Sequence, residues 1–212
     1  TYNPSVVKRG AEITAYETKA SGIPWNFSPV LGLGRDARWP RLYETFGEDV
    51  YLGSVLGEAM VEGFQGDDIS NPYSVAACAK HFVGYSFTLS GKDRTPAWIP
   101  ERQLREYFLP AFKRAIDAGA ATVMINSGEI NGLPVHINYD LLTTLLKEEL
   151  GFDGIALTDW EDIKYLHTRH RVAATQKEAV KLAINAGVDM SMVPNDFSFV
   201  DHLVELVQEG EV

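Results

Sequence analysis

Short apolar runs alternate with amphipathic stretches along the chain. The runs fall at 23–31, 75–83, 122–125, 154–158 and 188–193. Each is nearly continuous and often β-branched, the pattern of strands buried on both faces. Between them lie helices with readable ends. Leu52, Val55, Leu56, Ala59 and Met60 share one helical face, and Gly66 stops that helix. Pro100 opens a second helix, which Pro110 interrupts and Gly119 ends. Asn138 caps a third that presents Leu142, Leu145 and Leu146 and stops at Gly151. Thr175 and Glu178 form a capping-box pattern before a fourth, which ends at Gly187. Asn3-Pro4 predicts a helix leading into the first strand, and 199–207 reads as a last helix.

This βαβα succession predicts an α/β fold with a parallel sheet, either doubly wound or a (β/α)8 TIM-type barrel. A whole barrel takes roughly 250 residues. On the barrel reading, residues 1–212 hold about five of the eight βα units and cannot close alone.

Composition narrows the function classes. Of the 212 residues 45% are hydrophobic and 23% charged, an ordinary globular balance. The formal net charge of −10 argues against binding a phosphate backbone, which needs a basic face. No apolar run has the length of a membrane helix. The single cysteine, Cys78, can form no internal disulfide and no cysteine-based metal cluster.

The strand ends carry the candidate chemistry. The second strand ends in Lys80-His81, the third in Asn126-Ser127-Gly128-Glu129 and the fourth in Asp159-Trp160. The first runs into Gly34-Arg35-Asp36-Ala37-Arg38-Trp39-Pro40-Arg41. Sites of parallel α/β folds form at the carboxyl ends of strands, so these groups converge on one mouth. Asp159 can be a carboxylate on the pocket floor, or simply the cap of the next helix. Trp160 beside it offers a flat apolar face, although tryptophan is also a common core residue. Lys80 can pair with Asp159, donate to a substrate hydroxyl or form a Schiff base. Adjacent strand residues point to opposite faces, so Lys80 and His81 both reach the mouth only if the strand ends or bulges there.

Other patterns point away from cofactors. Gly32-Leu33-Gly34-Arg35-Asp36-Ala37 fits a dinucleotide fingerprint, but Trp39-Pro40 falls where its helix should already run. Arg35, Arg38 and Arg41 read instead as a packed loop with one or two forks aimed inward, the others paired by Glu44, Glu48 or Asp49. His167 and His170 are spaced for a metal but lack a third ligand, so they read as a surface pair. His136 reads as a structural loop residue. Lys92-Asp93-Arg94 reads as a solvated loop. No cofactor or metal is expected.

At these residues a family emerges. The chain resembles the N-terminal barrel domain of glycoside hydrolase family 3, most closely its bacterial β-glucosidases. The matching stretches are Asn26-Phe27-Ser28-Pro29-Val30, the Arg35–Arg41 loop, Glu44-Thr45-Phe46-Gly47-Glu48-Asp49, Ala79-Lys80-His81-Phe82-Val83-Gly84 and Thr158-Asp159-Trp160. They span nearly the whole chain. The resemblance implies that Asp159 is the nucleophile and that Arg41, Lys80 and His81 hold hydroxyls of the non-reducing-end sugar. It makes Trp160 an aromatic wall near the aglycone and Met124 an apolar pocket position. Ser127 stands where many members have a tyrosine, with Glu129 two residues on. Tyr165 stands where some plant members have an arginine.

A retaining glycosidase needs two carboxyl groups about 5–5.5 Å apart. Glu129, Glu161 and Asp93 are candidates for the second by residue type alone. The loop after Lys80-His81 reads Lys92-Asp93-Arg94-Thr95, without the histidine of the N-acetylglucosamine-cleaving subgroup. The resemblance therefore implies that the acid/base is a glutamate of a second domain, outside residues 1–212, like the first and last barrel strands. It implies a saccharide or β-glucoside substrate, with xylosidase or glucan exohydrolase as alternatives. It also implies a periplasmic or secreted location, with any signal peptide outside these residues. Two other classes stay open: a Schiff-base lyase on Lys80, and a non-catalytic sugar-binding protein.

Overall fold

The computed structural model describes residues 2–212. Helix α1 (Pro4–Ala20) starts as the sequence dictates: the Asn3 side chain accepts from the backbone N–H groups of Ser5 and Val6, with proline in the first turn. After the run at 23–31 comes a single 3-10 turn, Leu42–Glu44, and then α2 (Val50–Gln65), whose first turn is capped by Asp49. The glycine-rich stretch at 32–37 thus leads into no helix, which removes the dinucleotide reading. Strand β1 (Cys78–Phe82) follows. A helical run comes next, made of the turn α3 (Glu101–Gln103), a π-helical turn (Leu104–Phe108) and α4 (Pro110–Asp117). Strand β2 is Thr122–Ile125, and a small hairpin pairs β3 (Glu129–Ile130) with β4 (Leu133–Pro134). A π-helical segment (Asp140–Glu149) leads to β5 (Ile155–Trp160). Then come α5 (Asp162–Thr168), α6 (Gln176–Ala186), β6 (Met190–Met192) and α7 (Ser198–Glu209).

The main sheet is parallel in the order β1-β2-β5-β6. The first apolar run lies against β1 through bridges at Trp25–Ala76 and Val30–Lys80. Pro24 and Pro29 lack N–H donors, so this outer strand is intermittent. Ala76 and Lys80 nonetheless donate to the carbonyls of Pro24 and Pro29. Five strand positions therefore follow one another in chain order without reversal. That is the winding of a barrel, since a doubly wound sheet reverses at a switch point. The strands form an open arc among the described residues.

The two faces of the arc differ. The outer face buries Ala77, Ala79, Val123, Ile125 and Ala156 against the helices, together with Phe112, Leu142 and Leu146. Truncating one such phenylalanine typically costs about 3–5 kcal/mol. Helix α1 packs closely on α2 because Gly63 has no side chain: a Cβ there would sit 2.5 Å from the Lys8 carbonyl oxygen. The inner face carries a separate layer of Cys78, Met124 and Leu157, flanked by Trp25 and Met192. Among the described residues no helix is long and apolar enough to cross a membrane.

Candidate active site

The carboxyl ends of β1, β2 and β5 bring four sequence-predicted residues together. At the end of β1 the register slips by one, so that Lys80 pairs with Met124 but Phe82 with Ile125, and His81 is the extra residue. This is the bulge that lets neighbouring residues reach one mouth. His81 is buried, and its Nε2 lies 3.8 Å from Asp159 Oδ2. Burial, followed by the charges of Arg41, Lys80 and Arg94, pushes its pKa well below the usual range, so the imidazole is neutral. Its ring packs on Tyr85 with centroids 4.7 Å apart.

Asp159 projects from the end of β5 with its side chain 16% exposed. Oδ1 accepts from the Trp160 backbone N–H at 2.6 Å. Oδ2 lies 3.1 Å from Arg94 Nη2 and 3.3 Å from the Ser127 hydroxyl. Helix α5 takes Glu161, not Asp159, as its cap residue, so Asp159 is not consumed by capping. Trp160 is 45% exposed, which leaves an aromatic surface beside the carboxylate. Met124 is 1% exposed; it sits one layer below, beside Leu157, two residues before Asp159 on β5.

Lys80 and Arg41 lie along the first-strand side. Arg41 makes a two-pronged pair with Glu44, Nε to Oε1 at 2.7 Å and Nη2 to Oε2 at 2.8 Å, and its guanidinium lies 5.6 Å from the Tyr85 ring centre. Arg38 pairs with Asp36 at the surface, and Arg35 covers the Tyr107 ring. Lys80 is partly buried, and burial followed by Arg41's charge lowers its pKa. The Lys80–Asp159 pair that the sequence allows does not form; Arg94 takes that place.

Arg94 is the main correction to the sequence reading. The loop 92–94 is not simply solvated. Arg94 is 23% exposed at its side chain, takes φ 55°, and forks onto two carboxyls: Nη2 to Asp159, and Nη1 to Asp162 Oδ1 at 3.3 Å. Asp93 is also engaged, accepting from Trp39 Nε1 at 3.2 Å. The geometry explains why spacing concealed this. The loop leaves β1, is tied to the hairpin by the Ala97–Ile130 bridge, and so returns over the mouth.

Asp162 was also missed, although it stands in the first turn after the strand, a place where a helix favours an acid. It is 3% exposed, and its Oδ2 lies 2.7 Å from the Ser127 hydroxyl. Burial pushes its carboxyl up to about 7 against the ordinary 3.8, with Asp159's charge adding to the rise. His136 Nε2 lies 3.5 Å away, and burial lowers that imidazole to about 3. His136 is thus a buried neighbour of the site as well as a loop residue. His170 is no surface group either: it is largely buried, with Nδ1 2.7 Å from Glu129 Oε1, while His167 bonds the Ala173 carbonyl. Among the described residues no cluster of three metal-ligating side chains occurs.

These shifts give a pH prediction with a definite sign. Between pH about 4 and about 7 the folded protein keeps a proton on Asp162 that the unfolded chain has lost. Its contribution to stability therefore falls as pH rises through that window. His136 acts oppositely between about 3 and 6.5, where only the unfolded chain is protonated. Asp162→Asn removes the loss, so urea midpoints should show the variant gaining on the parent between pH 5.5 and pH 8. An equal difference at both pH values would contradict the assignment.

The family model described as "Glycosyl hydrolase family 3 N terminal domain" matches residues 1–212. The chain belongs to glycosyl hydrolase family 3. This family-3 chain is 53% identical over its whole length to a lysosomal beta glucosidase of Dictyostelium discoideum and covers 27% of that protein. It is 36% identical, again over its whole length, to a periplasmic beta-glucosidase of Salmonella typhimurium, of which it also covers 27%. The crystal structure of a beta-glucosidase from Listeria innocua superimposes with a TM-score of 0.94 at 36% identity, over all of this chain and 29% of that one. The family-3 chain thus spans little more than a quarter of the length of these relatives.

Proposed function

We propose that this chain supplies the nucleophile and part of the sugar pocket of a retaining, exo-acting β-glycosidase, a β-glucosidase acting on terminal non-reducing β-D-glucosyl residues. The observation that carries the reading is the state of Asp159. It is a strand-end carboxylate, partly open to the mouth, with each oxygen fixed by a donor and a neutral imidazole beside it. An Asp159 oxygen attacks the anomeric carbon, and the bond from that carbon to the aglycone oxygen breaks. The acid/base protonates the departing oxygen, then takes a proton from the water that releases the sugar. Lys80, His81 and Arg41 hold the sugar hydroxyls, Ser127 helps shape the pocket, and Trp160 packs on the ring or aglycone face.

The acid/base lies outside these residues on this reading. Glu129 is held by His170, Glu161 by Lys164 and Asp93 by Trp39, and Asp162 is buried. The glucosidase reading is favoured by the relatives named above. A relative named beta-xylosidase, from Formosa agariphila and 41% identical over 91% of the chain, supplies the alternative. We also propose export to the periplasm or beyond the cell, which fractionation would test.

The test is the stereochemistry of hydrolysis. A full-length enzyme carrying this chain should release β-glucose first from an aryl β-glucoside, as followed by proton NMR, and prefer the glucoside to the xyloside. Initial release of α-glucose would mean inversion and would remove the covalent intermediate. Sugar binding without turnover would favour the binding-protein class, and borohydride trapping of Lys80 with a carbonyl substrate would favour the lyase.

A further inference from the structure

Asp162 is too buried to touch a substrate, yet its partners lead back to Asp159. A buried carboxyl must have its oxygens satisfied. Here Ser127 Oγ lies 2.7 Å from Asp162 Oδ2 and 3.3 Å from Asp159 Oδ2, and Arg94 reaches both acids. A hydroxyl has one proton to donate and can accept others. If Asp162 is ionised, the shorter contact takes the Ser127 proton, and Asp159 Oδ2 faces a lone pair. If Asp162 holds a proton on Oδ2, it donates to Ser127 Oγ, and the Ser127 proton is free for Asp159 Oδ2.

We propose that Asp162 is a positioning residue that, as the neutral acid, turns the Ser127 hydroxyl onto Asp159 Oδ2 and so fixes the nucleophile's orientation. The inference rests on the nucleophilic role of Asp159 proposed above. The groups facing Asp162 come from four elements: Arg94 from the loop after β1, Ser127 from the end of β2, His136 from the 3-10 turn Val135–Ile137, and Asp159 from β5. Burial, with the charge of Asp159, favours the neutral acid over the opposing pull of the Ser127 bond and Arg94, and the neutral His136 adds no charge to hold Asp162 ionised. With Asp162 neutral, the charge of Arg94 serves Asp159 alone. The arrangement predicts that kcat falls as pH rises through about 7, when the relay loses its proton.

The experiment compares Asp162→Ala, Asp162→Asn and Ser127→Ala in the full-length enzyme. Rates on an aryl β-glucoside are measured from pH 4.5 to 8.5 and normalised by active-site titration with a 2-fluoro-glycoside. The titration counts folded, competent sites, so poor folding of a variant does not obscure the result. Asp162→Ala and Ser127→Ala should lower kcat by about 10- to 100-fold, as a misplaced reacting group does, with KM nearly constant. Asparagine can still donate to Ser127, so Asp162→Asn should restore most of the rate and abolish the fall near pH 7. Equal behaviour of the alanine and asparagine variants, or an unaltered pH profile, would overturn the proposal. Where the parent is labelled at Asp159 and the variants match it, this inference alone fails. A parent that is inactive, or is labelled elsewhere, overturns the functional reading and this inference with it.

Discussion

Asp159→Ala is expected to lower kcat of the full-length enzyme by about 10⁴-fold or more, the scale on which removing a covalent nucleophile acts. The physical reason is local. Each Asp159 oxygen has a fixed donor, so the attacking group is already oriented and little reorganisation remains. Alanine leaves Arg94, Lys80 and His81 in place, so substrate affinity should change much less than kcat. Small external nucleophiles such as azide should restore part of the rate and yield the α-glycosyl azide. That product forms only if the missing group was the nucleophile, and its appearance separates chemical loss from misfolding. A variant with kcat within tenfold of the parent would refute the role.

Arg94→Ala should have the second largest effect. The guanidinium lies between two acids, one of them almost fully buried. Its loss leaves Asp159 without its charged partner and the buried Asp162 Oδ1 without its donor. Asp159 then loses the charged donor that fixes Oδ2, so kcat/KM should fall by about 10²- to 10³-fold at pH 7. Stability should also drop. Breaking a fully buried pair costs about 3–5 kcal/mol; with the Arg94 side chain 23% exposed, about 2 kcal/mol is the reasonable scale here. Urea unfolding checks the stability loss, and steady-state rates at pH 7 check the kinetic one. Arg94→Lys keeps the charge without the fork, and should recover stability more than rate. Rates within about threefold of the parent would show that the Arg94 contact is incidental.

The strands and their ends were legible because a parallel sheet buried on both faces leaves continuous apolar runs, and polar residues at their ends then stand out. Lys80, His81, Ser127 and Asp159 were found this way. The caps at Asn3 and Thr175 were legible because they are local hydrogen bonds. The π-helical turns at Leu104–Phe108 and Asp140–Glu149 were not, since two buried apolar residues in the first and four in the second are too few to separate a π from an α period. The β3–β4 hairpin did carry a signal: Asn131 and Gly132 both take positive φ, the pair a tight hairpin turn favours. Its strands of two residues were too short to show alternation. Arg94 and Asp162 lay beyond reach for a different reason. Their meeting depends on a loop folding back over the mouth, 68 residues apart in sequence. Asp162 also looks like an ordinary first-turn acid until its burial is known.

The family likeness and the structure carry different information. The first names glycosyl hydrolase family 3; the second gives Asp159 its partners, and Arg94 and Asp162 a part the motifs did not show. The covalent role proposed for Asp159 leaves a chemical trace. The most direct test is to trap the full-length enzyme with a 2-fluoro β-glucosyl fluoride, digest it and map the modified peptide by mass spectrometry. One 2-fluoroglucosyl adduct per active site is expected, on the Asp159 side chain within Ile155–Trp160. An adduct on any other carboxylate, or complete inactivation with Asp159 unmodified, would contradict it.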